Sequence, residues 1–145
     1  MNRRDFCAAL PALAAAAEAF AHAEQKPVMG SKIVELNSIP AKKTSYGSVR
    51  SFYSAPTVTL ENLELHVTTL DPGKAPHQPH RHPNEEMVIL QQGSVEALQN
   101  GEWKTAGPGA VIFNASNQLH CVRNSGSAPA VYYVINWKTA ATPAN

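Results

Sequence analysis

Four side chains that can bind a metal ion stand out in this sequence. His80, His82 and Glu86 follow the order H-x-H-x-x-x-E within the stretch 73–93, and His120 lies in a second stretch, 107–124. Side chains two residues apart in a strand project to the same face, so positions 80, 82 and 86 share one face. Two imidazoles and a carboxylate that converge suit Mn, Fe, Co, Ni or Zn. The pattern therefore predicts that His80, His82, Glu86 and His120 bind one divalent transition metal.

The two prolines beside the first histidines restrict this interpretation. Pro79 and Pro83 bracket His80 and His82, and proline lacks the N–H that a central strand must donate to its neighbour. The histidine pair is therefore expected at a strand edge or a bulge. The alternative that stays open is a surface loop in which both imidazoles are solvated.

Other residues near the motif are weaker candidates for proton transfer or metal binding. His77 is a weak candidate for a catalytic acid–base group near neutral pH, with a solvated loop histidine as the alternative. Glu85 is a second weak candidate for proton transfer, although its strand parity points it away from the metal. In the alternating stretch 63–70, His66 lies opposite the apolar face and is predicted not to be a ligand. Cys121 is expected to be a small buried hydrophobe.

The composition is that of one ordinary globular domain. The chain has 145 residues, 43% of them hydrophobic and 16% charged, with a formal net charge of +1. This length fits a single domain. Because no basic patch or Lys/Arg stripe with interleaved aromatics is present, we expect no nucleic-acid partner. After the N-terminus, no apolar run is long enough to span a bilayer.

Residues 1–23 have the three parts of a bacterial export signal. Arg3-Arg4 supply the positive start, an Ala/Leu-rich stretch follows, and Ala21-His22-Ala23 end it with small residues. The pair Arg3-Arg4 followed by Asp5-Phe6 resembles a twin-arginine signal. We therefore expect cleavage after Ala23 and a periplasmic or secreted mature protein. An Ala-rich helix that belongs to the fold is the alternative.

The remaining sequence predicts an all-β protein. Short β-branched and aromatic segments are separated by Gly, Pro and Asn turns, which is typical of an antiparallel sandwich or barrel. We expect a lead with a first strand in residues 24–45, the main domain in 46–137 and a frayed tail in 138–145. The predicted strands cover residues 32–37, 46–53, 63–70, 86–90, 94–99, 110–113, 119–124 and 130–137. Asn100-Gly101 is the strongest hairpin signal.

Several predicted strands are apolar on both faces. The run Met87-Val88-Ile89-Leu90 offers apolar side chains to either side, which requires that both faces of the strand are covered. An exposed apolar β-face would be an aggregation hazard. A homodimer is therefore expected.

Taken together, the motifs resemble those of the cupin superfamily, in particular a single-domain cupin of the conserved-barrel, cupin 2 type. The first cupin motif is matched by Gly73, His80, His82, Glu86 and Gly93, with one extra residue between Gly73 and His80. The second is matched by Gly101 or Gly107, His120 and Asn124. Ala115 and Asn117 stand where the family usually has Pro and Gly. The resemblance covers residues 46–137.

This resemblance implies a jelly-roll β-barrel, also called a double-stranded β-helix, preceded here by a signal helix. It also implies a metal bound by His80, His82, Glu86 and His120, with about two open positions if the ion is octahedral. A small molecule that enters these positions is activated by the metal. The expected function is a metal-dependent enzyme, dioxygenase- or oxidase-like, that acts on a small oxygen-rich molecule. The alternative is a non-catalytic module that binds a sugar or an organic acid, because the fold alone does not fix the function.

Overall fold

A computed structural model describes residues 27–144, which form nine β-strands and one short 3-10 helix at Leu36–Ser38. The predicted signal peptide, residues 1–23, lies outside the described residues. The strands are β1 (Lys42–Thr44), β2 (Gly47–Ala55), β3 (Asn62–Leu70), β4 (Glu85–Gln92), β5 (Val95–Gln99), β6 (Glu102–Ala106), β7 (Val111–Asn114), β8 (Cys121–Arg123) and β9 (Ala130–Lys138). Within residues 27–144, no helix has the length and apolar character needed to cross a membrane.

The strands form two antiparallel sheets. The larger sheet has the order β1-β2-β3-β9-β4-β7, and the smaller has the order β6-β5-β8. An isolated antiparallel bridge joins His80 to His120 outside these strands. The expected all-β architecture is confirmed.

The core lies between the inner faces of the two sheets. On β4 and β9 the even-numbered residues point inwards, and Val88, Leu90, Tyr132 and Val134 are buried. Val95, from the smaller sheet, packs against them. Each fully buried aliphatic side chain contributes roughly 1.5–3 kcal/mol to folding, so this period-two pattern fixes which face of each strand is inside.

Two turns show why their residue types are needed. Asn100 and Gly101 both have positive φ, 54° and 84°, which is the backbone of the predicted two-residue hairpin between β5 and β6. Gly93, which follows β4, has φ of 82°. A Cβ at this position would lie 2.8 Å from the Ala130 Cα, so only glycine lets the chain pass β9 at this distance.

The predicted strand at 32–37 is wrong. The Ser38 N–H and hydroxyl both donate to the Glu35 carbonyl oxygen, at 3.0 and 2.7 Å, and this local pairing closes a 3-10 turn instead of a strand. Ile33 lies exposed, and the first strand begins only at Lys42. At the other end, the tail expected to fray from residue 138 contains a turn, because Thr139 and Thr142 exchange hydrogen bonds.

Candidate metal centre

The four predicted ligands are brought together from two parts of the chain. His80 and His82 lie in the connection between β3 and β4, Glu86 lies on β4, and His120 immediately precedes β8. Two backbone hydrogen bonds join the parts, because the N–H of His80 donates to the His120 carbonyl oxygen at 3.1 Å and the reverse bond is 3.0 Å long. This backbone bridge therefore holds the two sequence motifs next to each other.

The side chains converge on a small volume. Candidate ligand atoms of His80, His82 and His120 all lie within 4.8 Å of one another. The Glu86 carboxylate is beside them, with its two oxygens 3.8 Å from the His82 Nε2 and 3.9 Å from the His120 Nε2. These distances are too long for direct hydrogen bonds and leave space between the groups.

Backbone carbonyls orient two of the imidazoles. The Nδ1 atoms of His82 and His120 lie 2.9 Å from the carbonyl oxygens of Asn84 and Gln118, respectively. Because a carbonyl only accepts, each Nδ1 carries the hydrogen and each Nε2 keeps its lone pair. Fixing the tautomer through the second nitrogen is the usual way in which proteins orient a metal-binding histidine.

A buried amide chain orients the carboxylate. The Asn114 amide nitrogen donates to the Glu86 Oε1 at 2.9 Å, and the Asn114 Oδ1 accepts from the Gln99 Nε2 at 2.6 Å. Asn114 is buried at the end of β7, and Gln99 ends β5 in the other sheet. Neither residue is predicted as part of the site from the sequence, although a polar residue after the apolar run 110–113 is a signal of an inward polar site.

The nitrogen atoms in this cluster fit a bound metal. His80 Nδ1 and His120 Nε2 are buried and have no hydrogen-bond partner within the described part of the chain. A buried polar atom without a partner costs about 1–3 kcal/mol. A metal cation that accepts the lone pair of such a nitrogen removes this cost. Three imidazoles with one carboxylate are a ligand set for divalent transition metals.

The protonation states agree with this fit. Burial, together with the nearby His77, His120 and His82, lowers the pKa of His80 to about 4. Burial also lowers the pKa of His120. Both imidazoles are therefore neutral at pH 7, which is the form that binds a metal.

A cavity of about 220 Å³ opens beside the cluster. Glu86 and His120 line it, whereas His80 and His82 do not. Burial raises the pKa of Tyr132, so its phenol stays protonated and can donate a hydrogen bond into the cavity. The other lining residues are Tyr46, His66, Thr68, Pro76, His77, Val88, Val122 and Val134.

The structure corrects the orientation of β3. Thr68 is inside the barrel at 3% exposure, whereas Val67, on the apolar face of the alternating stretch, lies on the outer face of the sheet, although it is only 4% exposed. There it pairs with Arg50 and Tyr133 on the adjacent strands. His66 therefore points into the cavity. It is not part of the three-histidine cluster.

Of the two weak candidates for proton transfer, Glu85 and His77, only His77 lines the cavity. Glu85 is excluded from the cavity, because its carboxylate accepts a 3.1 Å hydrogen bond from the Trp137 indole on the other side of β4. His77 lines the cavity at its exposed mouth, with its ring centroid 4.0 Å from that of His80. The Cys121 thiol is buried, its pKa is raised by that burial, and it donates to the His77 carbonyl oxygen.

Comparison with known proteins agrees with the fold. The sequence model of the family described as "Cupin domain" matches residues 66–136. Among solved structures, the cupin domain of an XRE family transcriptional regulator from Enterobacter cloacae is 25% identical, with a TM-score of 0.52, and the match covers 61% of this chain and 92% of the other. A comparison with curated proteins gives no match.

Two further similar structures carry the names of enzymes. A polyketide cyclase from Streptomyces resistomycificus is 18% identical, with a TM-score of 0.62, covering 74% of this chain and 80% of the other. A sugar phosphate isomerase of the cupin superfamily from Silicibacter pomeroyi is 17% identical, with a TM-score of 0.61, covering 74% and 76%. At these identities the likeness shows the fold. Residues 66–136 therefore match the cupin domain family, and the three clustered histidines fit the metal site that is typical of cupins.

Proposed function

We propose that this cupin domain binds one divalent transition metal through His80, His82, Glu86 and His120 and is an enzyme for a small oxygen-rich molecule. An oxidative, dioxygenase-like reaction is the form that we favour. The observation that carries the proposal is the convergence of three imidazoles and one carboxylate beside a cavity of about 220 Å³.

The residues around the cavity support such a role. When bound, a metal with open positions polarises an oxygen-bearing group or lowers the pKa of a bound water. The Tyr132 hydroxyl can donate a hydrogen bond that orients a ligand, since its phenol stays protonated. Val88, Val122 and Val134 form an apolar wall of the same cavity, which excludes water and strengthens electrostatic interactions.

The second candidate is a binding module without turnover. It needs the same metal and the same hydrogen-bond donors, and it is favoured by the protonated phenol of Tyr132, which can bind a ligand without taking part in chemistry. Calorimetric titration with small sugars and organic acids, followed by product analysis of the same mixtures, separates the two. Binding with no product from any bound compound would favour the module.

Metal content is the first test. The protein purified without chelator or affinity tag is expected to hold near-stoichiometric Mn, Fe, Ni, Co or Zn by elemental analysis. The His80→Ala/His120→Ala variant is expected to lose it. His77→Ala is the matched control, because His77 contacts His80 but lies outside the clustered histidines. No metal in the wild-type protein, even after reconstitution, would contradict the proposal.

Export of the protein is a separate part of the proposal. Residues 1–23 have the composition of a twin-arginine-like signal. The export pathway that recognises such signals is understood to carry folded proteins. A metal bound before export would then not compete with other metals outside the cytoplasm. Cell fractionation of an Arg3→Lys/Arg4→Lys variant tests this, because the variant is expected to remain in the cytoplasm. Equal export of both forms would contradict it.

A homodimer also remains a proposal. On the outer face of the larger sheet, Val111 and Phe113 are 60% and 47% exposed, and the Phe113 ring stacks with Trp137 at a centroid distance of 6.3 Å. Such an apolar strip at a sheet edge favours association. Sedimentation at micromolar concentration should show a dimer that Phe113→Glu weakens. A monomeric wild-type protein would refute it.

A further inference from the structure

We propose that His66, oriented by Glu64, is the residue that accepts a proton from a ligand bound in the cavity. This inference rests on the proposed function, because it assigns a ligand class to the same site. The ligand is a small molecule with an acidic hydroxyl group, such as a phenol or an enol.

The first support is the pairing of the two side chains. Glu64 and His66 are two residues apart on β3, so they project from the same face of the strand. The Glu64 Oε1 lies 3.1 Å from the His66 Nδ1. An ionised carboxylate only accepts hydrogen bonds, so the Nδ1 carries the hydrogen and the Nε2 is left with a free lone pair. Glu64 is therefore a positioning residue, and His66 is poised as a base.

The second support is where β3 places this imidazole. His66 lines the same cavity as Glu86 and His120. In the sheet, His66 is opposite Val134, which in turn is opposite Val88 on β4. Two strand spacings put the Cα atoms of His66 and Val88 roughly 10 Å apart, and Glu86 is the next inward residue of β4. Both groups line the cavity of about 220 Å³, which leaves room for a small organic ligand between them.

The third support comes from the other ionisable groups that line the cavity. They are Tyr46, His77, Glu86, His120 and Tyr132. Glu86 and His120 belong to the metal cluster, and His77 lies at the exposed mouth against His80. The Tyr132 phenol is held protonated and can donate but not remove a proton. His66 is thus the cavity-lining base that is both held by a carboxylate and separate from the metal cluster.

The proposed proton transfer involves the ligand and the Glu64–His66 pair, here called the dyad. The ligand O–H bond breaks, its electron pair stays on the ligand oxygen, and the proton forms a bond to the His66 Nε2. The imidazolium that results is stabilised by the Glu64 carboxylate, which gains a charge-assisted hydrogen bond. The reverse transfer returns the proton to the ligand or its product, so no oxidant or reductant is needed for this step.

Nitrogen NMR tests the dyad without any metal or ligand. In the isotope-labelled metal-free protein, the His66 signal, identified by its loss in His66→Gln, should show the tautomer with hydrogen on Nδ1. In Glu64→Ala it should move towards the Nε2–H tautomer that free imidazole side chains prefer. The matched control is Glu61→Ala, because Glu61 is an exposed acid near the start of β3 that lies 3.8 Å from Lys138. The same His66 tautomer in wild type and Glu64→Ala would overturn the assignment.

Binding of nitrocatechol to the zinc-loaded protein tests the role of the base. The absorption of this phenol reports how many protons it has lost. The wild type should bind it fully deprotonated, whereas His66→Gln should bind it less deprotonated and about 10- to 100-fold more weakly, the value of one charge-assisted hydrogen bond. Zinc content should be the same in both proteins.

The outcomes of the two experiments distinguish the two proposals. Equal spectra and affinities for wild type and His66→Gln would overturn the role of His66. Failure of zinc-loaded wild type to bind the probe would overturn the ligand class. Failure of the wild type to retain zinc would instead contradict the proposed function, while the tautomer measurement would still report on the dyad.

Discussion

The Asn114 side chain is the best place to test whether the carboxylate of the cluster is oriented for a metal. Asn114 is 2% exposed. Its amide nitrogen donates to the Glu86 Oε1 at 2.9 Å, and its Oδ1 accepts from Gln99 at 2.6 Å. Replacing Asn114 with alanine removes the donor that holds the carboxylate and leaves the Gln99 amide without its acceptor.

The size of the effect follows from the bond that is lost. A hydrogen bond to a charged group contributes about 1.5–3 kcal/mol, and about 1.4 kcal/mol corresponds to a factor of ten in affinity. Asn114→Ala should therefore weaken metal binding by about 10- to 100-fold, which matches the usual cost of removing a residue that supports a metal ligand. Gln99→Ala should have a smaller effect, because Gln99 acts on Glu86 only through Asn114.

Competition with a chromogenic chelator measures the metal affinity of each variant. Asn124→Ala is the matched control, because Asn124 is also 2% exposed but donates to the carbonyl oxygens of Leu70 and Ala128 instead of Glu86. The control should lose about 1–3 kcal/mol of stability for each buried carbonyl left unpaired and keep its metal affinity. Wild-type affinity in Asn114→Ala, or an equal loss in Asn124→Ala, would refute the reasoning.

Two further predictions concern the stability of the metal-free protein. The folded-state pKa of His80 is about 4, below its ordinary 6.5, so the unfolded chain binds more protons and stability should fall as the pH drops from about 6.5 to about 4. Thermal unfolding should show this fall, and His80→Asn should flatten it; an equal slope in both proteins would contradict it. Gly93→Ala should cost about 2–5 kcal/mol through its positive φ and the 2.8 Å approach to Ala130. Denaturant unfolding should show little change in Gly107→Ala, where a Cβ meets nothing within 4 Å; equal losses would argue against the steric account.

Local signals were sufficient for the features that depend on neighbouring residues. The hairpin at Asn100-Gly101 needs positive φ at two successive positions, and those residue types allow it. The order H-x-H-x-x-x-E was enough to single out His80, His82 and Glu86, although the two histidines lie in the connection before β4, so strand parity does not account for their convergence. Each of these predictions uses fewer than about ten residues, a range over which geometry follows from sequence.

Features that depend on sheet packing could not be predicted in this way. Alternation in β3 shows that His66 and Thr68 share a face, but not which face is inside. The usual assumption that the apolar face is inside failed because the barrel interior holds a polar site. Likewise, Gln99 and Asn114 lie on strands of different sheets, and their contact depends on how the sheets approach each other.

The position of the candidate metal centre links it to the fold itself. Glu86 belongs to the larger sheet, His120 leads into the smaller one, and the His80–His120 backbone bridge lies between them. An ion held by these groups would connect the larger sheet to the segment that leads into the smaller one. Without an ion, the buried His80 Nδ1 and His120 Nε2 are left without hydrogen-bond partners in residues 27–144, at a cost of about 1–3 kcal/mol each. Since a ligand that binds only the folded state stabilises it, a metal held by these groups is expected to raise the free energy of unfolding of the domain.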